Sequence, residues 1–170
     1  MVASIAPAVS CDTPSSGRAV FSLKAPATGD VLQFAQLTDL ALNAGLMGAG
    51  AAVMMTTGEV VAPLPGVVDS INIAKAQLTL IHPKGLKLLL QIGQPGEICF
   101  GERIQWLVKQ GQQCSAGQPL LQSDPLWIKQ QGATPACITT ILNGNKLGAI
   151  VLTQDPKVRV NDDHFLTLYV

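Results

Sequence analysis

The chain has 170 residues, of which 48% are hydrophobic and only 13% are charged. A chain of this length forms one domain that buries about 70% of its unfolded surface, so it needs no disulfides or structural metal to fold. Lysine and arginine together number 11, as do aspartate and glutamate, which leaves no basic field for a phosphate backbone. This balance excludes a nucleic-acid partner, and the low charge favours contact with other proteins.

Residues 1–20 mix Ser, Pro and Gly without hydrophobic periodicity, so we expect a flexible N-terminal arm there and a folded domain over 21–170. The arm has one basic residue and no apolar stripe, and the apolar stretch from Leu40 to Met55 is too short to span a bilayer. We therefore expect no membrane insertion. The four cysteines show no Cys-x-x-Cys spacing, which predicts reduced thiols in a cytoplasmic protein.

From Phe21 onward, short apolar segments alternate with Gly, Pro and Asp turns, as is typical of an antiparallel β-sandwich or barrel. The most specific signal is a hairpin, in which Pro83-Lys84-Gly85 separates two apolar runs and Gly93 ends the second. We predict strands near residues 31–36, 51–55, 59–62, 66–73, 77–82, 86–92, 119–123, 136–142, 148–153, 157–160 and 165–170.

Two short helical turns are expected to interrupt the strands. Over 101–111 the apolar residues Ile104, Leu107 and Val108 fall at helical spacing, and Gly111 can end a helix. The second helix is predicted after Asp124-Pro125, which supply an N-cap and a proline at the first helical position.

Glycines and prolines recur in a fixed order along the middle of the chain: Ala62-Pro63-x-x-Gly66, then Gly85 and Gly93 around a strand, then Gly111-Gln112 and Gly117-x-Pro119-Leu120-Leu121, then Asp124. This order resembles the glucose-type enzyme IIA family of the bacterial phosphoenolpyruvate-dependent sugar phosphotransferase system, over roughly residues 22–170. The resemblance implies an all-β fold, an antiparallel sandwich or barrel of the duplicated hybrid motif type.

The resemblance also implies an activity. Members of this family pass a phosphoryl group from the small carrier protein HPr to a membrane sugar permease, through one phosphorylated histidine and a second, supporting histidine. Imidazole suits this task because its neutral nitrogen attacks phosphorus and later leaves again. The same two imidazoles form the zinc-capable site of the family.

With Gly85 and Gly93 as anchors, the phosphate-accepting histidine of the family falls on Gln91 and the supporting histidine on Ala76. A glutamine amide is not a nucleophile, and a methyl group donates no hydrogen bond. The acidic residue that follows the histidine motif is also missing, because Gly93 is followed by Gln94-Pro95. We therefore expect no catalytic residue, no cofactor and no metal, and a relative that has lost phosphoryl transfer and acts as a protein-binding or regulatory module.

The chain's own two histidines are not expected to replace the missing pair. His82 lies at the hairpin tip, six residues from Ala76, or about 20 Å along a strand, and we expect it to be an exposed loop residue. His164 follows Asp162 and Asp163 in a polar turn, and consecutive residues on a turn rarely converge on one metal ion.

The resemblance implies an apolar face around the pocket that receives protein partners. The matching residues Leu42, Leu46 and Met47 remain apolar and, with Gln91 and Pro95, are the predicted partner-binding residues, although the three apolar ones are equally consistent with ordinary core. Candidate partners are an HPr-like carrier, a permease domain, a metabolic enzyme or a second copy of the chain.

Two other functions stay open as alternatives. A working phosphotransferase component could use a non-standard phosphorylated residue, for which Cys99 is the nearest candidate. A biotinyl or lipoyl carrier has a related fold, but Lys84 follows a proline and Lys75 is flanked by alanines, so neither has the context of an attachment lysine.

Overall fold

The computed structural model describes residues 6–97 and 101–170. Cys99 lies outside the described residues. Within them, the structure has fifteen strands: β1 Val9–Ser10, β2 Ala19–Leu23, β3 Gly29–Gln33, β4 Ala49–Met55, β5 Glu59–Val61, β6 Gly66–Asn72, β7 Gln77–Ile81, β8 Lys87–Ile92, β9 Gln105–Trp106, β10 Gln113–Cys114, β11 Pro119–Gln122, β12 Ala136–Ile141, β13 Ala149–Leu152, β14 Lys157–Val158 and β15 Leu166–Tyr169. The helices of the described residues are α1 Leu40–Asn43 and α2 Pro125–Gln130, with 3-10 turns at Phe34–Gln36 and Gly144–Lys146.

The strands form three sheets. The largest has eight strands in the order β10-β6-β7-β8-β12-β4-β3-β14, the second has the order β1-β13-β15-β2, and the third β5-β11-β9. All strand pairs of the described residues are antiparallel except that of β1 with β13. The all-β fold class predicted from the sequence is therefore confirmed.

The predicted hairpin is formed by β7 and β8, with Gln77 opposite Gln91 at its open end and Ile81 opposite Lys87 near its tip. Gly85 closes the tip with a positive φ of 91°. The amide of Gly85 donates to the carbonyl of His82 at 2.7 Å. Neighbouring residues of a strand point to opposite faces, so Leu88, Leu90 and Ile92 of β8 pack in the larger of two hydrophobic clusters, whereas Leu89 and Gln91 point to the other face of the sheet.

The larger cluster joins the sheets and includes Leu78, Leu90 and Ile92. The smaller lies on the other face of the large sheet, under the segment that runs from the Phe34–Gln36 turn through α1, and consists of Phe34, Leu37, Leu42, Ala52, Ala136 and Ile138. The central strand β12 has all six residues buried, because β4 and β8 flank it and both of its faces are covered.

The prediction of a helix over 101–111 is wrong. The described residues form turns around the short strand β9, and Trp106 pairs with Leu121. Helix α2 is confirmed: the Asp124 side chain accepts from the amide of Trp127 at 3.0 Å, and Pro125 occupies the first turn. Helix α1 was not predicted from the sequence.

The predicted strand near 31–36 starts earlier, at Gly29, and ends at Gln33 in a 3-10 turn. The division of the chain at residue 20 stays a prediction. The described part of the first segment is nevertheless in contact with the fold, because Val9 and Ser10 pair with Ile150 and Val151. Neither helix in the described part of the chain reaches the length and apolar character needed to cross a membrane.

Candidate functional site

Gln91 lies on the face of the large sheet that carries the smaller hydrophobic cluster. Its register partners are Gln77 on β7 and Ile138 on β12, so the three side chains form one row across the sheet. The Gln77 amide Nε2 donates to Gln91 Oε1 at 3.1 Å. Only 5% of Gln91 is exposed. The row continues with the apolar residues Ile138 and Ala52, and the two amides lie at its end.

Ala76 lies in the turn that leads into β7, next to this pair. Its φ of 53° is in the left-handed region, and its carbonyl accepts the amide of Ile92 at 3.0 Å. The methyl group is 4% exposed and packs with the larger cluster. The two predicted family positions therefore lie on adjacent chain segments, joined through the backbone of Ile92.

The described histidines lie elsewhere. His82 is at the opposite end of the β7–β8 hairpin from Gln91 and is half-buried, so the expectation of an exposed histidine is wrong. Its ring meets Phe21 edge-on, with 5.0 Å between ring centroids, and its Nδ1 accepts the amide of Lys84 at 3.0 Å. Burial, with a smaller contribution from the Lys84 charge, lowers the pKa of His82 below its usual value.

His164 is exposed and engages Ser22, with 2.9 Å between Nδ1 and Oγ. Its two acidic neighbours point to other partners: Asp163 pairs with Lys24, and Asp162 accepts the amide of Arg159. In the described ranges no group of three His, Cys, Asp or Glu side chains is placed to hold a metal ion. A methyl group and an amide, at Ala76 and Gln91, do not fit the zinc site that the family resemblance implies.

A second polar cluster follows β8, and the sequence did not predict it. Gln94 is buried, and its Oε1 accepts the amide of Asp39 at 2.7 Å and the hydroxyl of Thr38 at 3.2 Å. Its Nε2 donates to Thr134 Oγ1 at 2.8 Å. Gln94 thus connects the end of β8 with the residues before α1 and those before β12.

Glu97 completes this cluster. Its carboxylate accepts the backbone amides of Gln94 and Thr134 at 3.1 and 2.7 Å. It also accepts the Thr134 hydroxyl at 2.5 Å and the Gln94 side-chain amide at 3.4 Å. The predicted partner residue Pro95 is half-buried in the turn between these side chains. The local signal for this cluster in the sequence is the pair of polar residues Gln94 and Glu97 in the Gln-Pro-Gly-Glu turn after Gly93.

The predicted partner residues divide into a buried and an exposed group. Leu42 is 2% exposed and belongs to the smaller cluster, so it is a core residue that no partner can contact directly. Leu46 and Met47 are 79% and 43% exposed. Leu40, the first residue of α1, is 83% exposed as well. The exposed apolar residues beside α1 are therefore Leu40, Leu46 and Met47, which we call the α1 face.

Comparison with known proteins places these features in a family. A family model described as phosphoenolpyruvate-dependent sugar phosphotransferase system, EIIA 1, matches residues 21–147. The glucose-specific EIIA component of Staphylococcus aureus (strain COL) is 29% identical over 129 residues, which cover 76% of this chain and 78% of that protein.

Longer proteins also match. The glucoside-specific EIICBA component of Staphylococcus carnosus is 35% identical over 124 residues, 71% of this chain, which spans only 18% of that protein. The solved glucose permease IIA of Mycoplasma capricolum shares the fold, with a TM-score of 0.76 and 19% identity over 86% of this chain and 94% of that chain.

Proposed function

Because this chain belongs to the EIIA 1 family of the phosphoenolpyruvate-dependent sugar phosphotransferase system, we propose that it is a glucose-type EIIA protein that has lost phosphoryl transfer and acts as a protein-binding module. The observation that carries the proposal is the Gln77–Gln91 amide pair. It occupies the position where the family resemblance requires an imidazole, while His82 and His164 are engaged with other groups.

The chemistry of the Gln91 side chain supports the loss of transfer. A phosphoryl acceptor needs a lone pair that is free to attack, and the nitrogen of a side-chain amide is conjugated with its carbonyl. Gln91 Oε1 already accepts a hydrogen bond, and the neighbouring Leu90 and Ile92 side chains point into the larger cluster. The buried thiol of Cys137 is no substitute, because full burial raises its pKa to about 12.

The α1 face supports the binding role. Leu40, Leu46 and Met47 expose apolar surface, and unbranched Met suits an adaptable contact. We place the partner among the cytoplasmic components of sugar uptake, with an HPr-like carrier or a permease domain as first candidates, since relatives of this chain are named as fused EIICBA components.

The decisive experiment is phosphoryl transfer from labelled, phosphorylated HPr. We expect no acid-labile label on the wild-type chain, but label on the double variant Ala76→His, Gln91→His, because that variant restores both imidazoles. Histidine tolerates the left-handed backbone of Ala76 better than most residues do. The single variant Ala76→His is the matched control, since it has no acceptor on β8 and is expected to stay unlabelled.

Binding is measured with the same proteins. We expect Met47→Asp to weaken capture of the partner at least about tenfold, because it places a charge in an apolar contact. Stoichiometric label on the wild-type chain would refute the loss of transfer. Label that disappears in Cys99→Ala would instead establish the alternative, a working component with a non-standard phosphorylated residue.

A further inference from the structure

Residues 34–48, which run from the first 3-10 turn through α1, are tied to one another by hydrogen bonds, and we call them the α1 segment. Asn43 Nδ2 donates to the carbonyls of Ala35 and Leu37 at 3.0 and 3.2 Å, which ties the helix back to the 3-10 turn. Because these bonds lie within the segment, they are kept when the segment moves as a whole.

Two hydrogen bonds attach the α1 segment to the end of β8, and a single atom accepts both of them. Gln94 Oε1 accepts the amide of Asp39 at 2.7 Å and the hydroxyl of Thr38 at 3.2 Å. Gln94 is buried, and its Nε2 donates to Thr134 and Glu97, which fix the side chain in place. The segment is therefore pinned at this end to one side-chain oxygen.

The apolar contact beneath the α1 segment is small. The segment contributes three side chains and the large sheet three, two of which are alanine: Phe34, Leu37, Leu42, Ala52, Ala136 and Ile138. An alanine buries little apolar area, so the sheet holds the segment only weakly. We therefore expect that lifting the segment off the sheet costs less free energy than unfolding the whole domain.

The surroundings of the α1 segment leave it room to move. A groove of about 810 Å³ runs along one flank, with residues 42–48 on one side and residues 141–145 on the other. This flank thus faces open space. Near the end of the segment, Gly45 and Gly48 have positive φ angles of 70° and 127°. Glycine changes its backbone angles at lower steric cost than other residues do, so these two positions are suited to a hinge.

We propose that the α1 segment is a flap that opens away from the large sheet as one piece, and that Gln94 holds it shut. Opening uncovers the row of Gln91, Ile138 and Ala52, and it displaces the α1 face, which the segment carries. The flap thus sets which of these two surfaces the chain presents. The proposal does not rest on the loss of phosphoryl transfer, because the opening is measured on this chain alone.

Labelling of cysteines placed under the flap with N-ethylmaleimide tests the proposal. Ala52→Cys on β4 and Ala136→Cys on β12 lie beneath the segment, whereas Ala51→Cys, the matched control, lies in the larger cluster. All three alanines are 0% exposed. Peptide mass spectrometry locates the label. We expect the first two to react at similar rates, at least about tenfold faster than Ala51→Cys, because they need only the flap to open.

Variants of the pin test the role of Gln94. Gln94→Leu removes both hydrogen bonds to the segment and should raise the labelling rate of Ala52→Cys about tenfold, whereas Thr38→Val removes one bond and should raise it less. Each rate is divided by that of Ala51→Cys in the same background, which cancels general destabilisation.

Circular dichroism checks that the variants are folded. Equal labelling rates for Ala52→Cys and Ala51→Cys in the otherwise wild-type chain overturn the flap. A rate ratio that neither Gln94→Leu nor Thr38→Val changes overturns the role of Gln94 as its pin.

Discussion

Gln91 is a polar side chain in a row of apolar neighbours, and its environment explains why the sheet accommodates it. Ile138 and Ala52 continue the same row on β12 and β4, and both belong to the smaller cluster. Gln77, at the open end of the hairpin, supplies the hydrogen bond that a buried amide requires. The buried amide is therefore accommodated without an unpaired polar group. Gln91 stabilises the fold in two ways, by filling space in the row and by accepting one hydrogen bond.

Substitution of Gln91 separates these two contributions. Gln91→Ala leaves a cavity and an unpaired Gln77, and we expect it to lower the free energy of unfolding by about 2 kcal/mol. Gln91→Met keeps the volume and loses only the hydrogen bond, so the loss should stay below about 1 kcal/mol. Urea unfolding measures both. Equal losses for the two variants would contradict this division and assign the effect to the hydrogen bond alone.

At the scale of elements, Glu97 determines how three segments meet at the end of β8. Its carboxylate receives donors from Gln94 and Thr134, and Gln94 in turn holds Thr38 and Asp39 in front of α1. The position of the α1 face thus depends on a carboxylate that is not part of that face. The effect of removing Glu97 should decrease along this chain of hydrogen bonds.

Amide hydrogen exchange measures that decrease. We expect Glu97→Ala to accelerate exchange at the amides of Gln94 and Thr134 about tenfold or more, because a hydrogen bond to a charged group contributes about 1.5–3 kcal/mol. The amide of Asp39, which reaches Glu97 only through Gln94, should accelerate less. Glu59→Ala, which removes a carboxylate outside this network, is the control. Uniform acceleration over the large sheet would indicate general destabilisation and contradict the local role.

Residues 101–111 form a short strand and turns instead of the predicted helix for a physical reason. Ile104, Leu107 and Val108 satisfy helical spacing, but Ile104, Trp106 and Val108 also satisfy the period of two, and these three are the residues that turn inward. Leu107 is exposed. The segment is so short that its apolar residues fit both the helical period and the strand period of two. The pairing of Trp106 with Leu121 of β11 makes it a strand. Helix α2 was predictable because Asp124 and Pro125 are local signals that require no distant partner.

The same distinction applies to the whole molecule. The β7–β8 hairpin was predictable because its turn residues are adjacent in sequence, whereas β1 and β10 are two-residue strands defined only by their partners β13 and β6. Glycines at the turns indicated the family and hence the fold. In the candidate site, the positions of Gln91 and Ala76 followed from those glycines, but Gln94 and Glu97 belong to a network that appears only when distant loops meet.

His82 connects two of the sheets, and we expect their contact to be sensitive to pH. It lies at the tip of the β7–β8 hairpin and meets Phe21 of β2, in the four-stranded sheet. Its Nδ1 accepts the Lys84 amide, which requires the neutral ring. Burial first, and the Lys84 charge second, lower the pKa of His82 in the folded state below its ordinary value of 6.5. The folded protein therefore binds this proton less readily than the unfolded chain does.

The stability contributed by His82 is consequently present above pH 6.5 and is lost as the pH falls below that value. We expect the wild-type chain to be more stable than His82→Gln near pH 8, and this difference to shrink steadily as the pH falls to about 5, because only the wild-type unfolded state gains the proton. Urea unfolding at a series of pH values measures the difference. Lys84→Gln is the matched variant: it should reduce the pH dependence only in part, since burial, the larger cause, remains. A wild-type advantage that is constant from pH 8 to about 5 would show that His82 titrates alike in both states, and that its contact with Phe21 stabilises the junction of the sheets independently of charge.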